Sequence, residues 1–333
     1  VKILVIRFSS IGDIVLTTPV VRCLKLQLAN AKIHFATKKQ YAEIVTANPH
    51  IDKVYYLENS ISDLIQMLKA EQYDYVIDLH NNQRSFLLKW KLGVPSFSFD
   101  KLNWQKWLMV NLKINQLPSS SIVERYVATT SRLSLHNDHE GLDYFIATKD
   151  IINIEELPTS HRHGFVAWVI GAKQNTKKFP LQKIVSTLKL MSNTPIVLFG
   201  GPEDKIDGQT IMSTLPNHPI YNAAGKYSLA QSASLLQKAS VVVTNDTGLM
   251  HIAAALKKPI ISIWGNTIPE FGMFPYYGKH EVPQLVIQIA DLKCRPCSKI
   301  GYKNCPEGHF DCMNKVEEEQ IADTILKMFA PKI

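Results

Sequence analysis

The sequence predicts an α/β protein built from two doubly wound domains, and three observations carry that prediction. Short apolar, β-branched runs alternate with stretches of helical period along the chain, the pattern of a parallel sheet with helices on both faces. Each run ends in a Gly- or Ser-bearing polar loop, so the loops collect at the strand carboxyl ends, where such folds bind ligands. The alternation is interrupted once by a polar, Pro-bearing segment, and 333 residues exceed what one core usually holds. Two Rossmann-like domains facing each other across a cleft are therefore expected.

Residues 3–6 are unbroken apolar and read as the first strand. The small polar turn Arg7-Phe8-Ser9-Ser10-Ile11-Gly12-Asp13 follows, then Ile14, Val15, Val20, Val21, Leu24 and Leu28 at helical spacing. Asp13 after Gly12 reads as either a helix cap or a functional carboxylate. Residues 33–37, 53–57 and 75–79 are the next strands, the last entering the polar loop His80-Asn81-Asn82-Gln83-Arg84-Ser85. Trp104, Trp107, Leu108 and Leu112 then share one helix face, interleaved with lysines. Ordinary core packing is the preferred reading of that face, and contact with an anionic membrane is the alternative.

A short strand is expected at 144–146 and the domain boundary at about residue 155. The second series has strands at 165–170, 195–199, 220–222, 241–243 and 260–264. Its central stretch is Asn245-Asp246-Thr247-Gly248-Leu249-Met250-His251, where a β-branched run meets an Ala-rich helix through a tight turn. Unpaired N–H groups and the helix dipole favour an anion there, and Gly248 lets it come close. Asp246 would repel a phosphate, so hydroxyl or turn bonding suits it better, and a plain Asp/Thr cap explains the turn equally well. The assigned limits are 1–155 for an N-terminal domain, 156–315 for a C-terminal domain and 316–333 for a final helix, with Ile321, Ile325, Leu326 and Phe329 on one face.

The formal charge of +8 suits acidic partners, but no Lys/Arg block marks a nucleic-acid surface. No run approaches the ~18 apolar residues of a membrane span. Arg7 interrupts the first apolar run too early for a signal-peptide core, so a cytoplasmic protein is expected. Five cysteines do not suggest a disulfide framework. Four of them, Cys294, Cys297, Cys305 and Cys312, have the spacing C-x2-C-x7-C-x6-C, close to that of structural zinc, against which stand buried thiols or a disulfide.

Three stretches together resemble a known family: residues 2–13, Thr176-Lys177-Lys178-Phe179-Pro180, and residues 245–251. In order and spacing they are similar to the ADP-heptose:lipopolysaccharide heptosyltransferases, family 9 glycosyltransferases of GT-B fold. The resemblance implies a metal-independent, inverting enzyme without a cofactor. Such an enzyme takes ADP-heptose as donor and a lipopolysaccharide inner-core precursor, Kdo or heptose on lipid A, as acceptor. It would work in the cytoplasm, with peripheral contact at the inner membrane.

Asp13 falls on the family's catalytic base, and an inverting transfer needs such a carboxylate at the acceptor hydroxyl. Lys177, Asp246, Thr247, Gly248 and His251 fall on donor-binding positions, with Phe179 replacing the family's Trp. Glu203, Lys226 and Tyr227 lie where relatives contact the nucleoside. Ser10, Gly12, Asn82, Arg84 and Arg125 lie on the acceptor side, where arginine grips phosphate or carboxylate in a bidentate manner. The resemblance also implies that the final helix crosses back to the first domain. The alternatives are another nucleotide sugar or acceptor on the same fold, or a sugar-nucleotide-binding module without turnover.

Overall fold

The computed structural model describes residues 1–329, so the last four residues of the final segment, 330–333, lie outside the described residues. The chain divides into two compact units. One comprises Val1–Leu102, Ser119–Phe145 and Tyr276–His280, and the other Asn103–Pro118, Ile146–Pro275 and Glu281–Ile333. The division at Phe145/Ile146 precedes the expected boundary at 155, and two short segments belong to the unit that sequence order does not give them.

The first unit is a five-stranded sheet of β1 (Lys2–Ile6), β2 (Lys32–Lys38), β3 (Lys53–Leu57), β4 (Tyr75–Asp78) and β5 (Ser96–Ser98). Its order is β3-β2-β1-β4-β5, and every pairing is parallel. β1 is buried from Ile3 onward because helices cover both faces, which is why it reads as a continuous apolar run. The second unit is a six-stranded parallel sheet of β6 (Val166–Val169), β7 (Ile196–Phe199), β8 (Ile220–Asn222), β9 (Val241–Asn245), β10 (Ile260–Trp264) and β11 (Gln284–Gln288). Its order is β11-β10-β9-β6-β7-β8.

Counted from its own first strand, the second sheet runs 3-2-1-4-5-6, the dinucleotide-binding order, and the first sheet is the same without a sixth strand. In each, the crossover direction reverses between the first and fourth strands. The loops leaving β1 and β4, and those leaving β6 and β9, diverge at these two points. In open α/β sheets such points are where a crevice forms and ligands bind. Topology alone thus marks the loops after Ile6, Asp78, Val169 and Asn245.

Two expectations are corrected. Residues 144–146 form no strand, since Tyr144 and its neighbours run as irregular chain between the units' segments. The helix Asn103–Leu112 forms, but Trp104 (63% exposed) and Trp107 (48%) are not core residues. Their rings stack on each other at 5.2 Å, and within that face only Leu108 is buried. The final helix, Glu318–Met328, packs on the helix Leu181–Lys189 and on β10 of its own unit. Its Ile321, Ala322 and Ile325 join that unit's core.

Candidate active site

At the first switch point, β1 delivers Arg7 into a buried position directly after four apolar residues. Its Nε donates to Ser9 O (2.7 Å) and its Nη1 to Leu79 O (2.5 Å), stitching the β1 loop to the β4 loop. Its Nη2 meets Asp13 Oδ1 at 2.6 Å. The other carboxylate oxygen, Oδ2, accepts from Ser10 N (3.1 Å) and Ser10 Oγ (2.7 Å). Ser10 and Asp13 form a box at the start of the short helix Ile11–Val15, with Gly12 buried inside it. Asp13 therefore caps the helix and also remains 23% exposed.

Burial pushes the Asp13 pKa up. The charge of Arg7 and the hydrogen bonds from Ser10 and Arg7 outweigh that and hold it below its ordinary value of 3.8. It is a carboxylate at neutral pH. His80, edge-on to Phe8, is pushed down to about 4, first by burial and then by the charges of Arg7 and Lys101, and is neutral.

The remaining acceptor-side residues separate. Arg125 lies 5.6 Å from the Phe99 ring, Phe99 packs edge-on to Tyr126, and Arg7 lies 5.8 Å from the Tyr126 ring, so Arg125 joins the Asp13 cluster through aromatic packing. Asn82 caps the helix Gln83–Leu92, accepting from Ser85 N at 3.0 Å. Arg84 is exposed and, with Lys38, Lys39 and Asn59, lines an open cavity of about 640 Å³ at the carboxyl ends of β2 and β3.

At the second switch point, Asp246 leaves β9 and Lys177 leaves the β6 loop. Lys177 Nζ donates to Asp246 Oδ2 at 2.5 Å, and Thr267 Oγ1, from the β10 loop, donates to the same oxygen at 2.9 Å. Asn245 holds the two loops in register, accepting from Phe179 N (3.1 Å) and donating to Val169 O (3.3 Å). Thr247 is the N-cap of the helix Gly248–Ala255, but its hydroxyl makes no capping bond and lies 3.3 Å from Thr244 Oγ1. With Asp246 bonded to Lys177 and Thr267, the plain Asp/Thr cap does not describe this turn. His251 is buried one turn into that helix.

Glu203 is exposed, whereas its neighbour Asp204 is buried, accepting from Lys178 Nζ (2.5 Å) and Gly201 N (2.9 Å). Asp204 also accounts for Gly171, where a Cβ would come within 2.1 Å of its Oδ2. Lys226 and Tyr227 converge on a third residue, Tyr221: the ammonium lies 4.3 Å from its ring and the two hydroxyls 2.9 Å apart. No bond ties this group to Lys177 or Asp246 among the described residues. The five cysteines are free, and no group of three or more His, Cys, Asp or Glu side chains is arranged to hold a metal among the described residues. The thiol reading of the four-cysteine spacing fits these free cysteines, and the disulfide reading does not. Cys312 and Met313 are buried in the core, and the other three thiols lie close to Cys312: burial first, then Cys294 and Cys305, push Cys297 up to about 11, and burial together with Cys297, Cys305 and Cys294 raises Cys312.

Sequence reading missed Arg7, Asn245 and Thr267. A lone charge closing an apolar strand was the available sign for Arg7. Nothing local marks Thr267, whose partner is 21 residues away.

Comparison with known proteins agrees with this architecture. The chain is 24% identical to lipopolysaccharide heptosyltransferase 1 of Campylobacter coli, covering 98% of this chain and 99% of that protein. A family 9 glycosyl transferase from Veillonella parvula superposes with TM-score 0.79 at 21% identity, over 98% of this chain and 96% of that one. The ADP-heptose lps heptosyltransferase II of E. coli does so with TM-score 0.75 at 20% identity, over 98% of each chain. The model of glycosyltransferase family 9 (heptosyltransferase) matches residues 61–305, which hold β4 and β5 of the first sheet, all of the second sheet and the whole Lys177 and Asp246 region, and the chain belongs to that family.

Proposed function

We propose that this glycosyltransferase moves a heptose from an ADP-activated donor to the inner core of a lipopolysaccharide precursor, with inversion and with Asp13 as the general base. The observation that carries the reading is the second switch point, where Lys177 and Thr267 both bond Asp246 Oδ2 beside a helix start that Thr247 does not cap. Amides of Thr247 and Gly248, the helix dipole and the nearby ammonium suit a departing diphosphate, whose developing charge they would stabilise without a metal. Asp246 Oδ1 has no hydrogen bond among the described residues and suits a sugar hydroxyl. His251 would act from within the helix, and Glu203, Lys226 and Tyr227 would line the nucleoside end.

On the acceptor side, Arg7 and Ser10 keep Asp13 ionised and aimed. A depressed pKa makes it a weak base, so orientation has to supply what basicity does not. Arg84, with Lys38, suits the phosphate or carboxylate groups of a core acceptor, Lys39 of the same cavity being paired with Glu58 at 2.9 Å, and Arg125 would join Asp13, Ser10, Gly12 and Asn82 around it.

No helix among the described residues is long and apolar enough to cross a membrane. The exposed Trp104–Trp107 stack, with Leu112 and Ile114 also exposed, instead suits peripheral contact with an anionic cytoplasmic leaflet. The test of the reading is calorimetric titration with ADP, UDP and GDP together with transfer assays of Asp13→Asn. ADP preference with transfer lowered by about a thousandfold supports it, whereas UDP preference or turnover near that of the unaltered enzyme overturns it.

A further inference from the structure

One loop, residues 294–302, bonds the turn that bears Thr267 and the residue preceding Lys177. Arg295 is 6% exposed in that loop. Its Nε donates to Gly265 O at 2.6 Å, and its Nη2 to Thr267 O at 2.9 Å and Trp264 O at 3.5 Å. The same guanidinium reaches Ile289 O (2.5 Å) and Gln288 Oε1 (3.0 Å) at the end of β11. Two residues on, Cys297 N donates to Asn266 O at 3.1 Å, so the turn from Trp264 to Thr267 has every carbonyl engaged by this loop. At the loop's far end Tyr302 exchanges bonds with Thr176, giving N to Thr176 Oγ1 (2.8 Å) and accepting from Thr176 N (3.1 Å). Thr176 adjoins Lys177. Gly265 lets the two walls approach, since a Cβ there would lie 2.7 Å from Thr176 O.

A guanidinium this buried is costly unless its donors are satisfied, and here neutral oxygens satisfy them, with no carboxylate at ion-pair distance among the described residues. Stability alone is a poor account of such a group, because an apolar residue fills the same space at lower desolvation cost. Its bonds converge on the one turn that aims the Thr267 hydroxyl. We propose that Arg295 is a positioning residue for the donor site. It fixes the Trp264–Thr267 turn so that Thr267 and Lys177 share Asp246 Oδ2 and leave Oδ1 directed at the donor sugar. The inference rests on Asp246 being a donor ligand.

The relay predicts a selective loss. In Arg295→Met, the Kd for an ADP-activated heptose should rise about tenfold, the worth of a hydrogen bond to a charged group, while the Kd for ADP changes less than threefold. Thr267→Val should show the same selectivity at full thermal stability. The double variant should be no worse than the worse single, because both act on one path. Should Arg295→Met not fold, Arg295→Lys, which keeps the charge and loses the fork, replaces it with the same expectations. Equal weakening of ADP and donor, or additive effects in the double variant, would overturn the relay. Asp246→Asn separates the two failures. If it leaves donor binding intact, the donor reading falls and the relay with it. If it weakens donor binding while the Arg295 and Thr267 variants do not, the relay alone falls.

Discussion

The two switch points are built alike and loaded differently. Each presents an aspartate from a loop at the carboxyl end of a central strand, paired with one cation. At the first, Arg7 and Ser10 occupy both oxygens of Asp13. At the second, Lys177 and Thr267 bond a single oxygen of Asp246. A carboxylate held at both oxygens is fixed in angle and kept ionised, which suits an atom that must meet a hydroxyl proton in one geometry. One held at one oxygen keeps an acceptor free, which suits a ligand for a substrate that has to leave again.

The sharpest way to break this contrast is to neutralise each aspartate in turn. Asp13→Asn should lower transfer by about a thousandfold, the middle of the range for a positioned general base, and leave ADP affinity unchanged in a calorimetric titration. Asp246→Asn should act on the donor instead, lowering kcat/KM by roughly ten- to a hundredfold through donor affinity. If both variants lose donor binding to the same extent, the two sites do not divide the work as described.

A smaller effect sharpens the electrostatic half of the comparison. Asp13 is held below 3.8, so its charged form is present throughout the neutral range. Its interactions stabilise the fold fully above the unfolded carboxylate value of about 3.9, and that stabilisation is lost as pH falls through the lower folded value. Arg7→Met removes the cation at 2.6 Å, so the Asp13 pKa must rise. The acid limb of the kcat/KM profile should move to higher pH, alongside a lower plateau from lost orientation. An acid limb that stays in place would separate Arg7 from the base.

The central strands were legible in the sequence, and so were the edges β3 and β8, but the edges β5 and β11 were not. β1, β6, β9 and β10 are buried on both faces, so selection for apolar residues leaves an unbroken run. β5 is a three-residue edge strand of sequence SFS, and β11 is a half-exposed edge, so neither carries such a run. Residues 144–146 fail in the opposite sense: Tyr144 is buried, but no neighbouring strand offers a ladder. Of the site, Lys177 and Asp246 were visible because they sit in recognisable motifs, although 69 residues separate them. Arg7, Thr267 and Arg295 work through backbone carbonyls or partners remote in sequence, and a hydrogen bond to a carbonyl leaves no pattern in residue identities.

The smallest expected effect concerns a surface that belongs to neither aspartate. Trp104 and Trp107 keep most of a stacked indole pair in water, although burying aromatic rings is among the larger stabilising terms available to a fold. Truncating them should therefore cost the folded state little. Trp104→Ala/Trp107→Ala should leave the melting temperature within a few degrees, since surface changes are usually worth under about 0.5 kcal/mol. Turnover on a water-soluble acceptor should be unchanged. Cosedimentation with vesicles of mixed anionic and zwitterionic phospholipid should fall severalfold, because interfacial indoles supply apolar contact that charge alone does not. Loss of soluble-acceptor turnover in parallel would assign the pair to the active site, and unchanged vesicle binding would leave it without a membrane role.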